Sequence, residues 1–334
     1  MTVMAAQPSV AILLPVFNCE KFIEECLDSL LNQTYKNFTI IIVDDYSSDN
    51  TVDIIQRYIR LNDCIELHQN ANNLGIIESR NLLLELSDAK YFAFMDADDL
   101  SLPKRIETQV KYLEQHQNIH ALSCWYSRFG YIEDTIYTPT SSDDIASALF
   151  LDNVMCNPAM MVRNDFLKQH GLKCDASFRG AADFKLWVEC SKVGRLACLP
   201  QVLFRYRTHS SQESQKNNSR QKNAHYAILE RQFSRLGLVI NAQQISSLIW
   251  PIECVKKELY TLGKWLQDIS ENKNITDKEL AERVFFFVDI RFRSCCVRYG
   301  FDGLIVYIKC RGILNVMRGR KLGFSFVKRC IFNR

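Results

Sequence analysis

The chain has 334 residues, 47% hydrophobic and 24% charged, a globular composition with ample apolar material for one large domain or a domain with an appendage. No run reaches the ~18 apolar residues that a membrane-spanning helix needs. The formal charge is +3, yet 303–334 carries eight Lys/Arg and no acid, leaving 33 basic against 38 acidic residues elsewhere. An acidic body argues against nucleic-acid binding, and a basic tail points to an anionic partner.

The first hundred residues alternate strand and helix signals. Apolar runs predict strands at Ser9–Phe17, Phe38–Val43, Ile65–His68 and Tyr91–Met95, and helical periodicity appears at Glu20–Leu31, Thr51–Ile59 and Ile76–Leu86. Strands that are apolar on both faces and separated by helices imply a mostly parallel sheet with covered faces, an α/β fold. Ligands in such sheets bind beyond the carboxyl ends of the strands, here Asn18, Asp44-Asp45 and Asp96-Ala97-Asp98. A helix is expected over Leu102–His116, opened by Ser101 and Pro103, then strands and a polar loop over 120–145. Further expectations are a short strand at Pro158–Val162, a helix at Phe184–Val193 and a strand at Ala197–Tyr206. Residues 211–223 are polar and read as a linker, and helical patterns follow at 224–236, 243–268 and 277–299 before the basic tail.

There are 13 cysteines, an odd number with no C-x-x-C spacing, and Cys295-Cys296 are adjacent. This fits buried thiols in a reducing compartment. Met1–Ser9 shows no basic segment leading into an apolar stretch, so no signal peptide is expected. Both readings point to the cytoplasm.

The chemistry concentrates at strand ends. Asp96 and Asp98 are two apart, so on extended chain both carboxylates project to one side. They make a hard-oxygen site for Mg²⁺ or Mn²⁺ on a diphosphate, although a solvated turn with Asp99 capping a helix fits the same letters. Asp44-Asp45 also reads as an ordinary turn when taken alone. On a strand Leu203, Arg205, Arg207 and His209 share one side, which gives either a diphosphate- or metal-facing pair, Arg207 and His209, or a surface edge.

The series Ile12-Leu13-Leu14-Pro15-Val16-Phe17-Asn18, Gln33-Thr34-Tyr35, Ile42-Val43-Asp44-Asp45-Tyr46-Ser47, Asn73-Leu74-Gly75 with Ser79-Arg80-Asn81, and Met95-Asp96-Ala97-Asp98-Asp99 resembles the family 2 glycosyltransferases. This is an inverting group of GT-A fold that builds bacterial surface polysaccharides, and the resemblance covers about 9–210. It implies a GT-A catalytic domain over 1–210, with nucleotide-sugar binding in 9–99 and the acceptor side and catalytic base in 100–210, followed by a helical region over 224–334. It also implies roles. Pro15 and Phe17 border the nucleotide base, Asp44 reads the base, and Arg80 lies near base or diphosphate. Asp96 approaches the ribose and Asp98 binds the divalent cation, with His209 as a second candidate ligand. Asp183, in Ala182-Asp183-Phe184-Lys185-Leu186-Trp187, matches the family's base, though it also suits a helix cap. Asn157, Trp187 and Arg207 are diphosphate or acceptor candidates. Tyr46 stands where the family usually has Gly, and Ala182 where it usually has Glu.

The implied partners are a nucleotide-diphosphate sugar, UDP-linked first, and a glycan or polyprenyl-linked glycan acceptor. A sugar nucleotidyltransferase would need a Gly-rich loop after the first strand, and an oxidoreductase G-x-G-x-x-G; Pro15–Glu20 contains no Gly. A non-catalytic sugar-nucleotide binder remains compatible with Tyr46 and Ala182. In the tail, apolar residues among the cations suit an interfacial helix on the anionic inner face of the cell membrane, or a basic helix packed on the catalytic domain.

Overall fold

The computed structural model describes residues 9–210, 212, 218–249, 254–272, 274–311, 326, 329 and 330. Its contacts divide the chain into two compact units, Met1–Ala146 with Asn153–Gln221, and Ser147–Asp152 with Lys222–Arg334.

The first unit is built on β1 (Val10–Val16), whose seven residues are all buried because helices cover both faces. There follow α1 (Ile23–Leu31), β2 (Phe38–Asp44), α2 (Thr51–Ile59), β3 (Ile65–Gln69), α3 (Ile76–Glu85), β4 (Tyr91–Phe94), β5 (Leu100–Ser101), α4 (Arg105–Gln115), β6 (Ala121–Gly130), β7 (Asp134–Ile136) and α5 (Ser142–Ala148). Then come a 3₁₀ turn at Asn157–Ala159, β8 (Met161–Arg163), α6 (Asn164–His170), a second 3₁₀ turn at Ala176–Phe178, α7 (Ala182–Val193) and β9 (Leu196–Thr208). The strand order is β3-β2-β1-β4-β8-β6-β9-β5, with β7 paired to β6. Strands β3, β2, β1 and β4 run parallel, as apolar runs separated by helices require. β8 joins β4 antiparallel, and β9 runs parallel to β6. Register places Val16 beside Asp44 and Leu13 beside Phe94, so the carboxyl ends of β1, β2 and β4 open on the same edge.

Several elements differ from expectation. Leu100 and Ser101 pair with Arg205 and Phe204 as β5, so the next helix starts at Arg105 rather than Leu102. The Leu102 N–H donates to Leu203 O, which commits it to the sheet edge. Part of the loop expected over 120–145 is helical from Ser142, and α6 was not anticipated.

In the second unit α8 (Asn218–Arg235) starts inside the expected linker, of which 211 and 213–217 lie outside the described residues. The single helix expected over 243–268 is two, α9 (Ala242–Ile249) and α10 (Lys256–Ser270). Pro251, which cannot continue a helical hydrogen-bond ladder, falls between them in sequence. α11 (Lys278–Val297) and α12 (Gly300–Arg311) complete the unit. Asp289 on α11 accepts from Tyr307 Oη at 2.8 and 2.9 Å and pairs with Arg293 Nε at 2.9 Å and Arg311 Nε at 3.2 Å. Arg311, one of the tail cations, is thereby an internal strut. Of the basic tail, 312–325, 327, 328 and 331–334 lie outside the described residues, and most of the interfacial helix expected there with them; Phe326 is buried, its ring 4.9 Å from that of Tyr307. Among the described residues no helix is long and apolar enough to cross a membrane.

Candidate active site

The open edge of the sheet begins where β1 and β2 end. Asp45 N donates to Val16 O, Asn18 N to Ser47 Oγ at 2.9 Å, and Ser48 N to Asn18 Oδ1 at 2.8 Å. The two loops are therefore stitched together. Each contains a left-handed residue, Asn18 at φ 48° and Tyr46 at φ 68°. Phe17 (51% exposed) and Tyr46 (59%) stand out from this stitched rim. Pro15 does not join them: it is buried inside β1 in register with Val43, because the strand is covered on both faces. Of the two, Phe17 alone is exposed.

The paired aspartates at the end of β2 have separate environments. Asp45 is a cap: its carboxylate accepts from Leu74 N and Gly75 N at the start of α3, and from Asn70 Nδ2, each at 2.8 Å. Asp44 is 1% exposed; its Oδ2 accepts from Ser47 N, and its buried Oδ1 has no partner in the structure. A buried carboxylate oxygen without a donor is costly unless a ligand supplies one.

α3 carries Arg80 to the end of β4, where Nη2 meets Asp96 Oδ1 at 2.9 Å. Burial works against the Arg80 cation, but the charge of Asp96, with Cys174 and Asp183 also nearby, holds it above the usual arginine range. Two side-chain–backbone bonds between Asn81 and Cys174, each 2.9 Å, tie α3 to the segment that leads into α7.

Asp98 Oδ2 lies 2.9 Å from His209 Nε2, just past the end of β9. Burial, then the Asp96 charge, raises the Asp98 carboxyl above its ordinary range, and the His209 hydrogen bond opposes this. Asp99 is fully buried and accepts Arg207 N at 2.8 Å; burial and the charges of Asp98 and Asp96 push its carboxyl well up. Arg207 is engaged within the protein. Its Nε donates to Asp98 O at 2.7 Å, Nη2 pairs with Glu25 at 2.5 Å, and the guanidinium lies over the Phe22 and Phe129 rings. It braces the acidic segment rather than standing free for a diphosphate.

Asp183 is the second residue of α7 and half-buried, and it is among the charges acting on Arg80. Asn153 Nδ2 donates to Asp183 Oδ2 at 3.0 Å. Trp187, a diphosphate or acceptor candidate by its sequence, is fully buried one turn along and packs edge-on against Phe94 at 5.6 Å. It belongs to the inner face of α7 with Leu186 and Cys190. Asn157 is also interior, 6% exposed, with Nδ2 unpartnered. The structure thus gathers Arg80 with Asp96, Asp98 with His209, and Asp183 with Asn153, and leaves Trp187 and Asn157 beneath the surface. Glu25 and Asn153 were missed in the sequence because their partners are 182 and 30 residues away and neither belongs to a motif.

For a divalent cation, no group of three or more His, Cys, Asp or Glu among the described residues is arranged as a complete cage. Asp98 and His209 nonetheless supply two adjacent donors. That suits a cation which takes its remaining ligands from phosphate oxygens and water.

The sequence pattern of glycosyl transferase family 2 matches residues 11–171. Over 225 residues the chain is 34% identical to an uncharacterized glycosyltransferase of Haemophilus influenzae, covering 64% of this chain and 70% of that protein. The chain belongs to glycosyl transferase family 2. It is also similar to the Escherichia coli UDP-Glc:alpha-D-GlcNAc-diphosphoundecaprenol beta-1,3-glucosyltransferase WfaP, 27% identical over 186 residues, 55% of this chain and 71% of that one. The fold is that of Staphylococcus aureus TarS 1–349, solved in complex with UDP-GlcNAc: TM-score 0.59, 15% identity, 92% of this chain and 91% of that chain covered. The sheet of this glycosyltransferase is accordingly of GT-A type. Its departure at Tyr46 also has a structural account. The turn needs a left-handed residue, which is why glycine suits it, and Tyr46 adopts that conformation without one.

Proposed function

We propose that this glycosyltransferase is an inverting enzyme that moves a sugar from a UDP-sugar to a hydroxyl of a glycan or lipid-linked glycan during surface-polysaccharide synthesis. The observation that carries the proposal is Asp183, a half-buried carboxylate at a helix start, within electrostatic reach of the Arg80–Asp96 pair. On this reading Asp183 takes the proton of the acceptor hydroxyl while that oxygen bonds to the anomeric carbon. The bond from that carbon to the diphosphate breaks, and the nucleoside diphosphate leaves with the electron pair. A single displacement with one base inverts the centre and needs no protein nucleophile.

The unpartnered Asp44 Oδ1 fits the imide N–H of uracil, and the exposed Phe17 directly follows Val16, the register partner of Asp44. Asp96, oriented by Arg80, suits a ribose hydroxyl. Asp98 and His209 would hold a Mn²⁺ or Mg²⁺ ion, which when bound neutralises charge on the leaving diphosphate. The UDP-GlcNAc in TarS and the lipid diphosphate in the name of WfaP support the donor and acceptor classes.

The basic tail supports a peripheral place on the inner face of the membrane. Tyr307, Arg311 and Phe326 build the second unit, so the informative variant keeps the chain whole and neutralises tail cations, Arg318→Gln, Arg320→Gln and Lys321→Gln together. That variant should release from anionic vesicles, and equal binding would remove the membrane reading.

The central test is a panel of UDP-, GDP- and dTDP-sugars with Mn²⁺, scored for binding, transfer and product anomer. Tight binding of one UDP-sugar and an inverted product are expected, with transfer lost in Asp183→Asn and Asp98→Asn. Turnover by Asp183→Asn, or a retained anomer, would sink the mechanism.

A further inference from the structure

Resting on the reading of Asp183 as the base, we infer that Asn153 is a positioning residue that fixes the orientation of that carboxylate. Two directed contacts orient the Asn153 side chain. Its Oδ1 accepts the Met155 N–H at 3.2 Å, and its Nδ2 donates to Asp183 Oδ2 at 3.0 Å. The first contact settles the second. With the oxygen turned to a backbone donor, the amide nitrogen must face Asp183, so the group cannot flip without breaking both bonds. A carboxylate on a helix's first turn is otherwise free to rotate about its terminal torsion, which is broad and two-fold.

Donation to Oδ2 distinguishes the two oxygens of Asp183. One is occupied by a charge-assisted hydrogen bond, and the other is presented, in a fixed direction, to an acceptor hydroxyl. The transferred proton comes to rest on that second oxygen. Ala182 stands where the family usually has Glu, so the neighbouring carboxylate is missing on the chain side of Asp183. Asn153 provides support from across the site, and as an amide it does so without a like charge.

Three variants separate positioning from loop stapling. Asn153→Ala removes both contacts. Asn153→Asp keeps an oxygen for the Met155 N–H but replaces the donor with a repelling carboxylate. Asp183→Asn tests the base itself. We expect Asn153→Ala to lower kcat on the order of 10- to 100-fold, as loss of one oriented charge-assisted hydrogen bond implies. UDP affinity and the KM for donor should stay within about two-fold, since Asn153 touches neither site. Asn153→Asp should be impaired at least as much, with an unchanged melting curve. If Asn153 merely staples its loop, Asn153→Asp turns over like wild type, and that result overturns the inference. If Asp183→Asn abolishes transfer while Asn153→Asp retains it, the base assignment stands and only this inference falls. If Asp183→Asn itself keeps turning over, both fall.

Discussion

Asp45 and Gly75 lie 30 residues apart in sequence and are joined by a 2.8 Å hydrogen bond from the Gly75 amide to the Asp45 carboxylate. With the matching bond from Leu74 N, the carboxylate closes the exposed amides at the start of α3 and places a negative charge at the positive end of that helix. Its neighbour Asp44 keeps one buried oxygen unpartnered. One aspartate therefore caps a helix, while the other keeps a free acceptor that the proposed function assigns to the nucleotide base.

This division predicts opposite phenotypes at adjacent positions. Asp45→Ala strips three hydrogen bonds from a buried cap and should cost about 3 kcal/mol of stability. Asp44→Asn should melt near the wild-type temperature but weaken UDP binding roughly 10- to 100-fold, because one acceptor for a base N–H is lost or reversed. Chemical denaturation and calorimetric titration with UDP check the pair. If Asp44→Asn binds normally and Asp45→Ala does not, the assignments are reversed.

Arg207 should act on catalysis only through Asp98. Its side chain is 16% exposed and holds the Asp98 carbonyl, Glu25 and two phenyl faces together. Arg207→Ala should destabilise by about 2–4 kcal/mol through lost packing, lost hydrogen bonds and an orphaned carbonyl. Arg207→Lys should recover less than half of that loss, since an ammonium cannot span Asp98 O and Glu25 as the planar fork does. Urea midpoints of the three proteins decide this; full rescue by lysine would mean that charge alone matters.

The central sheet was legible because β1, β2 and β4 are largely apolar on both faces, a pattern that burial between helices imposes, and a polar residue ends or closely follows each: Asn18, Asp44 and Asp96. β5 was not, since two residues carry no periodicity and its partner, β9, lies about a hundred residues on. Pro15 misled in another way. The resemblance places it beside the nucleotide base, yet it lies within β1, past the last β1–β4 pair at Leu13 and Phe94, where only β2 flanks the strand and the missing N–H is tolerated. Trp187 is a diphosphate or acceptor candidate only by its neighbours in a motif. The spacing of Phe184, Leu186, Trp187 and Cys190, all buried on α7, already held the better signal. Asn153 had no signal at all, because a single polar residue in a loop says nothing about a side chain 30 positions away.

Tyr46 gives a test of backbone strain. A non-glycine residue in the left-handed region carries a penalty of roughly 1–2 kcal/mol. Glycine would remove that penalty and return about 0.5–1 kcal/mol as unfolded-state entropy. Tyr46→Gly should therefore stabilise the ligand-free protein by up to ~1 kcal/mol, a rise of a few degrees in Tm. Differential scanning calorimetry without nucleotide reads this directly. A clear fall in Tm would show that the Tyr46 ring makes contacts worth more than the strain.

The cysteines lend themselves to a titration. All thirteen are free thiols; eleven are buried, and Cys64 and Cys156 are partly so. Burial pushes Cys19 and Cys124 up to about 12 and Cys174 and Cys198 up to about 11, and it raises Cys64 as well. Because the thiolate is the reacting form, both access and ionisation protect these groups at neutral pH. Cys64 follows α2 in a surface turn, whereas burial pushes the equally half-buried Cys156 thiol well above its ordinary range. Native protein should release about one equivalent of thionitrobenzoate quickly from Ellman's reagent, and all thirteen thiols should react in guanidinium. Cys64→Ser should remove the fast phase without changing the denatured count by more than one. Prompt reaction of several thiols in the native state would mean that the buried cysteines of the two units open to solvent far more readily than their packing implies.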